Sequence, residues 1–183
     1  MRNTLGAHEV LEIHEVLNDA VNGINQFHLY EPHVQGDDLR NILSHQLNFM
    51  QLEYNMLIDL VGSPGRLTEY SHRGRSEPIY GLDQPPQYYP KAALMQLKDQ
   101  DIAAGMLNCH KSSAIRKMTS ALECAAPQMR EALIQGAKNC ADQAYELFLF
   151  MNKRGYYQIP YLSNQDAILG QYEPAPTNVS PIY

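Results

Sequence analysis

The side chains able to do chemistry are few and scattered along the 183 residues. A carboxylate-bridged pair of metal ions needs a glutamate from each of two helices and a Glu-x-x-His pair from each of two more, all aimed inward. The stretch with that spacing is Glu69-Tyr70-Ser71-His72, and it stands among glycines and prolines rather than in a helical run. His8-Glu9-Val10-Leu11-Glu12 has the outline of a zinc-protease helix, but Glu12 stands where the second histidine belongs. His8, Glu12 and Glu15 share one helical face and could bind a surface metal; the preferred reading is His–Glu contact on a solvated face.

Polar residues that interrupt apolar stripes are the other candidates. His14, Gln46, Glu53, Asp101 and Gln143 are predicted to face inward, with Glu53 the most pointed because it breaks an otherwise apolar seam. Its counterpart 90 positions on is Gln143, a poor metal ligand. One or two carboxylates cannot hold two irons, so the five are read as a hydrogen-bonded polar layer, since buried polar groups must find partners. A single weak metal site is the alternative. Cys109 and Cys140 fall on inward stripes, where thiols behave as small hydrophobes. No serine sits on a Gly-x-Ser-x-Gly turn and no glycine-rich phosphate loop is present. The sequence therefore implies no catalytic residue and no cofactor.

Four periodic stretches must position these groups. The first runs from about residue 4 to 26, with Val10, Ile13, Leu17, Ala20 and Ile24 at three- and four-residue steps, and gives way before Pro32. The second, about 37–61, opens on Asp37-Asp38 and stops at Gly62-Ser63-Pro64-Gly65; its two apolar seams predict packing on more than one side. The third is placed at about 91–124. The fourth, about 127–154, starts on Pro127 and ends on Lys153-Arg154-Gly155. Short links join helices 1–2 and 3–4 into antiparallel hairpins, and a Pro- and Gly-rich crossover, 62–90, separates them. The expected fold is all-α: a ferritin-like four-helix bundle over residues 1–160, followed by an extended tail, 161–183. An echo 90 positions apart, Leu39-Arg40-Asn41-Ile42-Leu43 and Met129-Arg130-Glu131-Ala132-Leu133, suggests an old duplication of the hairpin.

Composition narrows the partners. A net charge of −6 with scattered lysines and arginines argues against nucleic acid, which demands clustered basic residues. No apolar run approaches a membrane span, and the N-terminal residues lack the pattern of a signal peptide. Three cysteines with no Cys-x-x-Cys spacing suit a reducing compartment.

With these elements in place the chain resembles a known family. Leu5-Gly6-Ala7-His8-Glu9-Val10-Leu11-Glu12-Ile13-His14-Glu15-Val16-Leu17 looks like the opening of the spore coat protein F family. Asp101-Ile102, Lys111-Ser112, Ala121-Leu122-Glu123, Pro127-Gln128-Met129-Arg130 and Met151-Asn152-Lys153-Arg154-Gly155-Tyr156-Tyr157 follow that family's pattern in order. The resemblance spans about residues 5–160. It implies a bundle made in the cytoplasm of a sporulating bacterium and laid down in the spore coat, where it pairs with itself as a dimer or with other coat proteins. It supplies no catalytic residues. Some members carry a histidine in the fourth helix near Gln143-Ala144, and its absence here weakens the metal-binding or oxidase alternative.

The two non-helical segments are rich in tyrosine and proline. Residues 62–90 and 155–183 together hold nine of the 12 tyrosines and nine of the 11 prolines. Stiff Pro/Tyr chain presents large amphipathic area at low entropic cost. Tyr88, Tyr89, Tyr156, Tyr157 and Tyr161 are therefore the candidate assembly contacts, the alternative being that they pin crossover and tail to the bundle.

Overall fold

The structure, a computed structural model, describes residues 5–62, 79, 96–160, 163–164 and 168–173. Among these residues it has four long helices and no strand: α1 (Ala7–Tyr30), α2 (Asp37–Gly62), α3 (Asp99–Glu123) and α4 (Pro127–Lys153), with a 3-10 turn at Glu31–His33. The first helix runs past residue 26 to Tyr30, because Pro32 falls within the first turn of the 3-10 segment, where a missing N–H costs little. The third starts at Asp99 rather than near 91. Lys98 is extended, and Asp101 accepts its backbone N–H at 3.2 Å, so the helix is capped there. The fourth ends as its sequence demands. Gly155 takes φ 75°, Tyr156 N–H donates to Met151 O at 2.8 Å, and Gly155 N–H to Asn152 O at 3.0 Å, the paired bonds of a glycine-terminated helix.

The packing order follows from which ends meet. α1 lies against α2 and α3, and α4 against α3 and α2, leaving α1/α4 and α2/α3 as diagonals. Glu9, in the first turn of α1, accepts the N–H of Ala126 just before α4 at 2.6 Å. Asp99, opening α3, accepts the N–H groups of Gln35 and Gly36 just before α2, both at 2.8 Å. Arg154 at the end of α4 holds Asp38 at the start of α2 at 2.6 Å. Each adjacent pair is therefore antiparallel, and Gly62 and Asp99 stand at opposite ends of the bundle.

Two apolar clusters fill the interior. One gathers Phe27, Leu39, Leu43, Ile102, Met106, Leu147 and their neighbours at the α3-start end. The other gathers Ile13, Val16, Leu57, Leu60, Ala121, Met129 and Leu133 at the opposite end. Fully burying a leucine such as Leu39 or Leu43 contributes about 2 kcal/mol.

The two hairpins are equivalent to a depth the sequence echo only hinted at. α2 and α4 begin 90 residues apart. All eight buried residues of α2 (Leu39, Leu43, Gln46, Leu47, Phe49, Glu53, Leu57 and Leu60) have a buried residue of α4 at that same offset. In α1, Ile13, Val16, Gly23 and Phe27 map likewise onto Ala103, Met106, Ser113 and Lys117, all buried. Glu9 and Asp99 also correspond, and each clamps the link of the other hairpin.

Candidate functional site

Between the two apolar clusters every helix turns polar or small on its inner face. α2 supplies Gln46 and Glu53, α3 His110, Ser113 and Lys117, α4 Gly136, Asn139, Cys140 and Gln143, and α1 Gly23, all buried. At the centre is an ion pair across the α2/α3 diagonal, the ammonium of Lys117 donating to Glu53 Oε2. Lys117 Nζ also lies 3.3 Å from Cys140 Sγ, and Asn139 Nδ2 donates to Glu53 Oε1 at 3.1 Å. Gly136 makes the room: a Cβ there would stand 3.1 Å from Lys117 Cδ and 3.3 Å from Glu53 Oε1.

About two turns away along α2, Gln46 ties three helices together. Its Oε1 lies 2.9 Å from His110 Nε2, and its Nε2 donates to Gln143 O at 3.2 Å and to Glu146 Oε2 at 2.7 Å. The His110 ring also meets Phe27 edge-on, with centroids 5.4 Å apart. Gln143 Nε2 donates to Asn139 O at 3.3 Å, while its Oε1 is a buried acceptor with no donor among the described residues.

Burial works against the charge of Lys117, but Cys140 and Glu53 more than offset it and hold its pKa above the ordinary lysine value. The Cys140 thiol is pushed up, burial outweighing the pull of Lys117. Burial likewise raises Cys109, to about 11, helped by the Asp19 carboxylate. Burial raises Cys124 as well, so all three cysteines are neutral thiols at neutral pH, unsuited to nucleophilic work.

Of the five residues read as an interior layer, Gln46, Glu53 and Gln143 come together here. His14 does not: it is exposed, 3.4 Å from Asn18 Nδ2, because one step past buried Ile13 swings the side chain about 100° off the core face. Asp101 does not either; it is half-buried and caps α3. Lys117, His110 and Asn139 were not singled out by the sequence. The pattern that finds Lys117 is the 90-residue offset, which sets it opposite Phe27.

The layer does not fit a di-iron centre. Its central carboxylate, Glu53, is already neutralised by an ammonium, and its amide donors are the wrong chemistry for a hard cation. Among the described residues no group of three or more His, Cys, Asp or Glu could hold a metal ion. The N-terminal face separates as well. Glu9 is buried and clamps Ala126, whereas exposed His8 approaches Glu123 at 4.0 Å. Among the proposed assembly tyrosines, Tyr156 packs partly on the core, and Tyr157 is exposed, edge-on to Phe148 at 5.4 Å with Lys111 over its ring. Tyr88, Tyr89 and Tyr161, with Glu69 and His72, lie outside the described residues.

A four-helix bundle of two equivalent hairpins, closed on a self-neutralised polar layer, is the class of protein these observations define. Comparison with known proteins gives the family. Residues 98–160, the α3–α4 hairpin, match the Coat F domain. The chain is 30% identical over 165 residues to the spore coat protein F-like protein YhcQ of Bacillus subtilis, covering 88% of this chain and 76% of that one. It belongs to the spore coat protein F family. A crystal structure of a Bacillus halodurans protein described as a spore coat protein has the same fold, with a TM-score of 0.66 at 18% identity over 87% of this chain and 96% of that one. Among the described residues no helix is long and apolar enough to cross a membrane.

Proposed function

We propose that this chain is a non-enzymatic structural component of the bacterial spore coat, acting through self-association or binding to other coat proteins. Family membership supports the coat location. The observation that carries the structural role is the state of the interior: the central carboxylate of the layer is matched by Lys117, and the cysteines, Cys124 and Cys140 buried and Cys109 half-buried, are neutral thiols. The outer surface supports contact with other proteins. Ile115, Met118 and Leu122 form an exposed apolar stripe on α3, Ile115 and Leu122 each 70% exposed.

The test is fractionation of purified spores with an antibody to the chain. The protein is expected in the detergent- and alkali-extracted coat; recovery from the soluble cell interior alone overturns the assignment. Untagged protein purified without chelators and exposed to ferrous iron in air is expected to bind no stoichiometric metal. About two irons per chain, with oxygen consumption, would make it an oxidase instead.

A further inference from the structure

The equivalence of the two hairpins has a consequence for assembly. Their mutual face, α1 on α3 and α2 on α4, is closed within one chain by contacts that depend only on which hairpins meet, not on which chain owns them. The Lys117–Glu53 pair, the Gln46 bonds to His110 and Glu146, the Glu9 and Asp99 clamps and the Arg154–Asp38 pair all cross that face. The 36 residues between Gly62 and Asp99 are all that joins one hairpin to the other in sequence. Such a tether reaches roughly 120 Å when extended, about three times the ~39 Å length of the 26-residue α2. It does not force the two hairpins of one chain to be each other's partners.

We propose that the inter-hairpin face is a pairing surface for a second copy of this chain, with α1–α2 of one copy seated on α3–α4 of the other and the reverse. The polar layer sets which hairpins pair. Under the 90-residue offset Phe27 stands where Lys117 does, and Gln143 where Glu53 does. Two α1–α2 hairpins brought together would bury two Glu53 carboxylates with no ammonium. Two α3–α4 hairpins would bury two Lys117 ammoniums with no carboxylate between them. Unpaired buried charge rejects both arrangements, so α1–α2 of one chain pairs only with α3–α4 of another, and reciprocal exchange closes that pairing as a twofold dimer. The exchange deepens the self-association reading and draws its biological purpose from it, but is a property of the chain alone.

The test uses the full-length chain carrying Asp38→Cys and Arg154→Cys, an exposed and a half-buried position that meet across the face. It is refolded from denaturant over a hundredfold range of concentration, sized by light scattering and treated with a short bis-maleimide. The expected result is a fraction of doubled mass that grows with concentration and runs as a covalent dimer on denaturing gels. A dimer linked only within each chain overturns exchange while leaving self-association through another surface intact, and a monomer at every concentration overturns it outright. A chain lacking residues 66–93 checks the reasoning from the other side. Its remaining eight-residue tether reaches roughly 30 Å, too short to close on itself. It is expected to fold as a helical dimer of twice the chain mass, somewhat less stable because Asn152 loses the Ile79 N–H it accepts at 2.6 Å. A monomer without helix, or aggregate of no fixed size, refutes the pairing.

Discussion

Replacing Lys117 with methionine tests whether the buried layer is held by charge. Methionine keeps most of the side chain's volume, so packing against Gly136 changes little and the ammonium is what is lost. Glu53, only 7% exposed, would then be left with Asn139 as its remaining donor. Stranding one member of a buried pair costs about 3–5 kcal/mol. For a chain of this size each kcal/mol lowers the melting temperature by roughly 2–4 °C, so a fall of about 10 °C is expected by circular dichroism. Adding Glu53→Leu removes the stranded charge, and the double variant is expected to recover at least half the loss, about 2 kcal/mol. The reasoning fails if Lys117→Met alone costs under ~1 kcal/mol, the magnitude of a solvated pair.

The other expectations concern the clamps, the thiols and the packing. Hydrogen bonds from the Ala126 and Gly6 N–H groups, outweighing burial, hold the Glu9 carboxyl below its ordinary 4.5. The stability it contributes is therefore full above that pH and fades as pH falls through the lower folded value. Glu9→Gln should be less stable at pH 7 and lose less on acidification than the parent, compared by urea melts at pH 7 and pH 3; parallel losses would contradict this. With Cys109 raised to about 11 and Cys124 and Cys140 also raised by burial, a thiol reagent at pH 8 should label the native chain slowly and all three cysteines after denaturation. Rapid labelling of Cys124 or Cys140 in the native protein contradicts their burial. Gly136→Ala gains about 1 kcal/mol of helix propensity but sets a methyl 3.1 Å from Lys117 Cδ. A net loss of about 1–2 kcal/mol is expected in thermal melts, and a gain would show that the lysine has room to move.

Much of this fold is legible because it is punctuated. Asp37-Asp38 and Gly62 bracket α2, and Pro127 with Lys153-Arg154-Gly155 brackets α4, each by a mechanism local to a few residues. The start of α3 is not so marked. Its start signal is Asp101 reaching back to Lys98, a bond that no residue type alone announces. The polar layer was half legible for a similar reason. Gln46, Glu53 and Gln143 interrupt apolar stripes on helices with clear inner faces. Lys117 and His110 sit on α3, whose inner face mixes Ala, Ser, His and Lys, so hydropathy does not mark them as interior. A lone lysine reads as solvated unless its partner is known, and Glu53 lies 64 residues away.

The offset between hairpins preserves where residues are buried while discarding what they are. Leu39 answers Met129, Gln46 answers Gly136, Glu53 answers Gln143 and Phe27 answers Lys117. Outside the middle layer the apolar positions stay apolar while changing size, as Ile13 answers Ala103 and Leu60 answers Phe150; the changes of class fall in the middle layer. That is where a symmetric bundle would be least able to tell one hairpin from another. An apolar layer would pack at least as stably, but it would accept like hairpins as readily as unlike ones. Placing the carboxylate on α2 and the ammonium on α3 spends stability on orientation: the one arrangement that leaves no buried charge alone is α1–α2 against α3–α4. Within a chain that contact folds the bundle, and between chains the same contact would link two of them without any new surface.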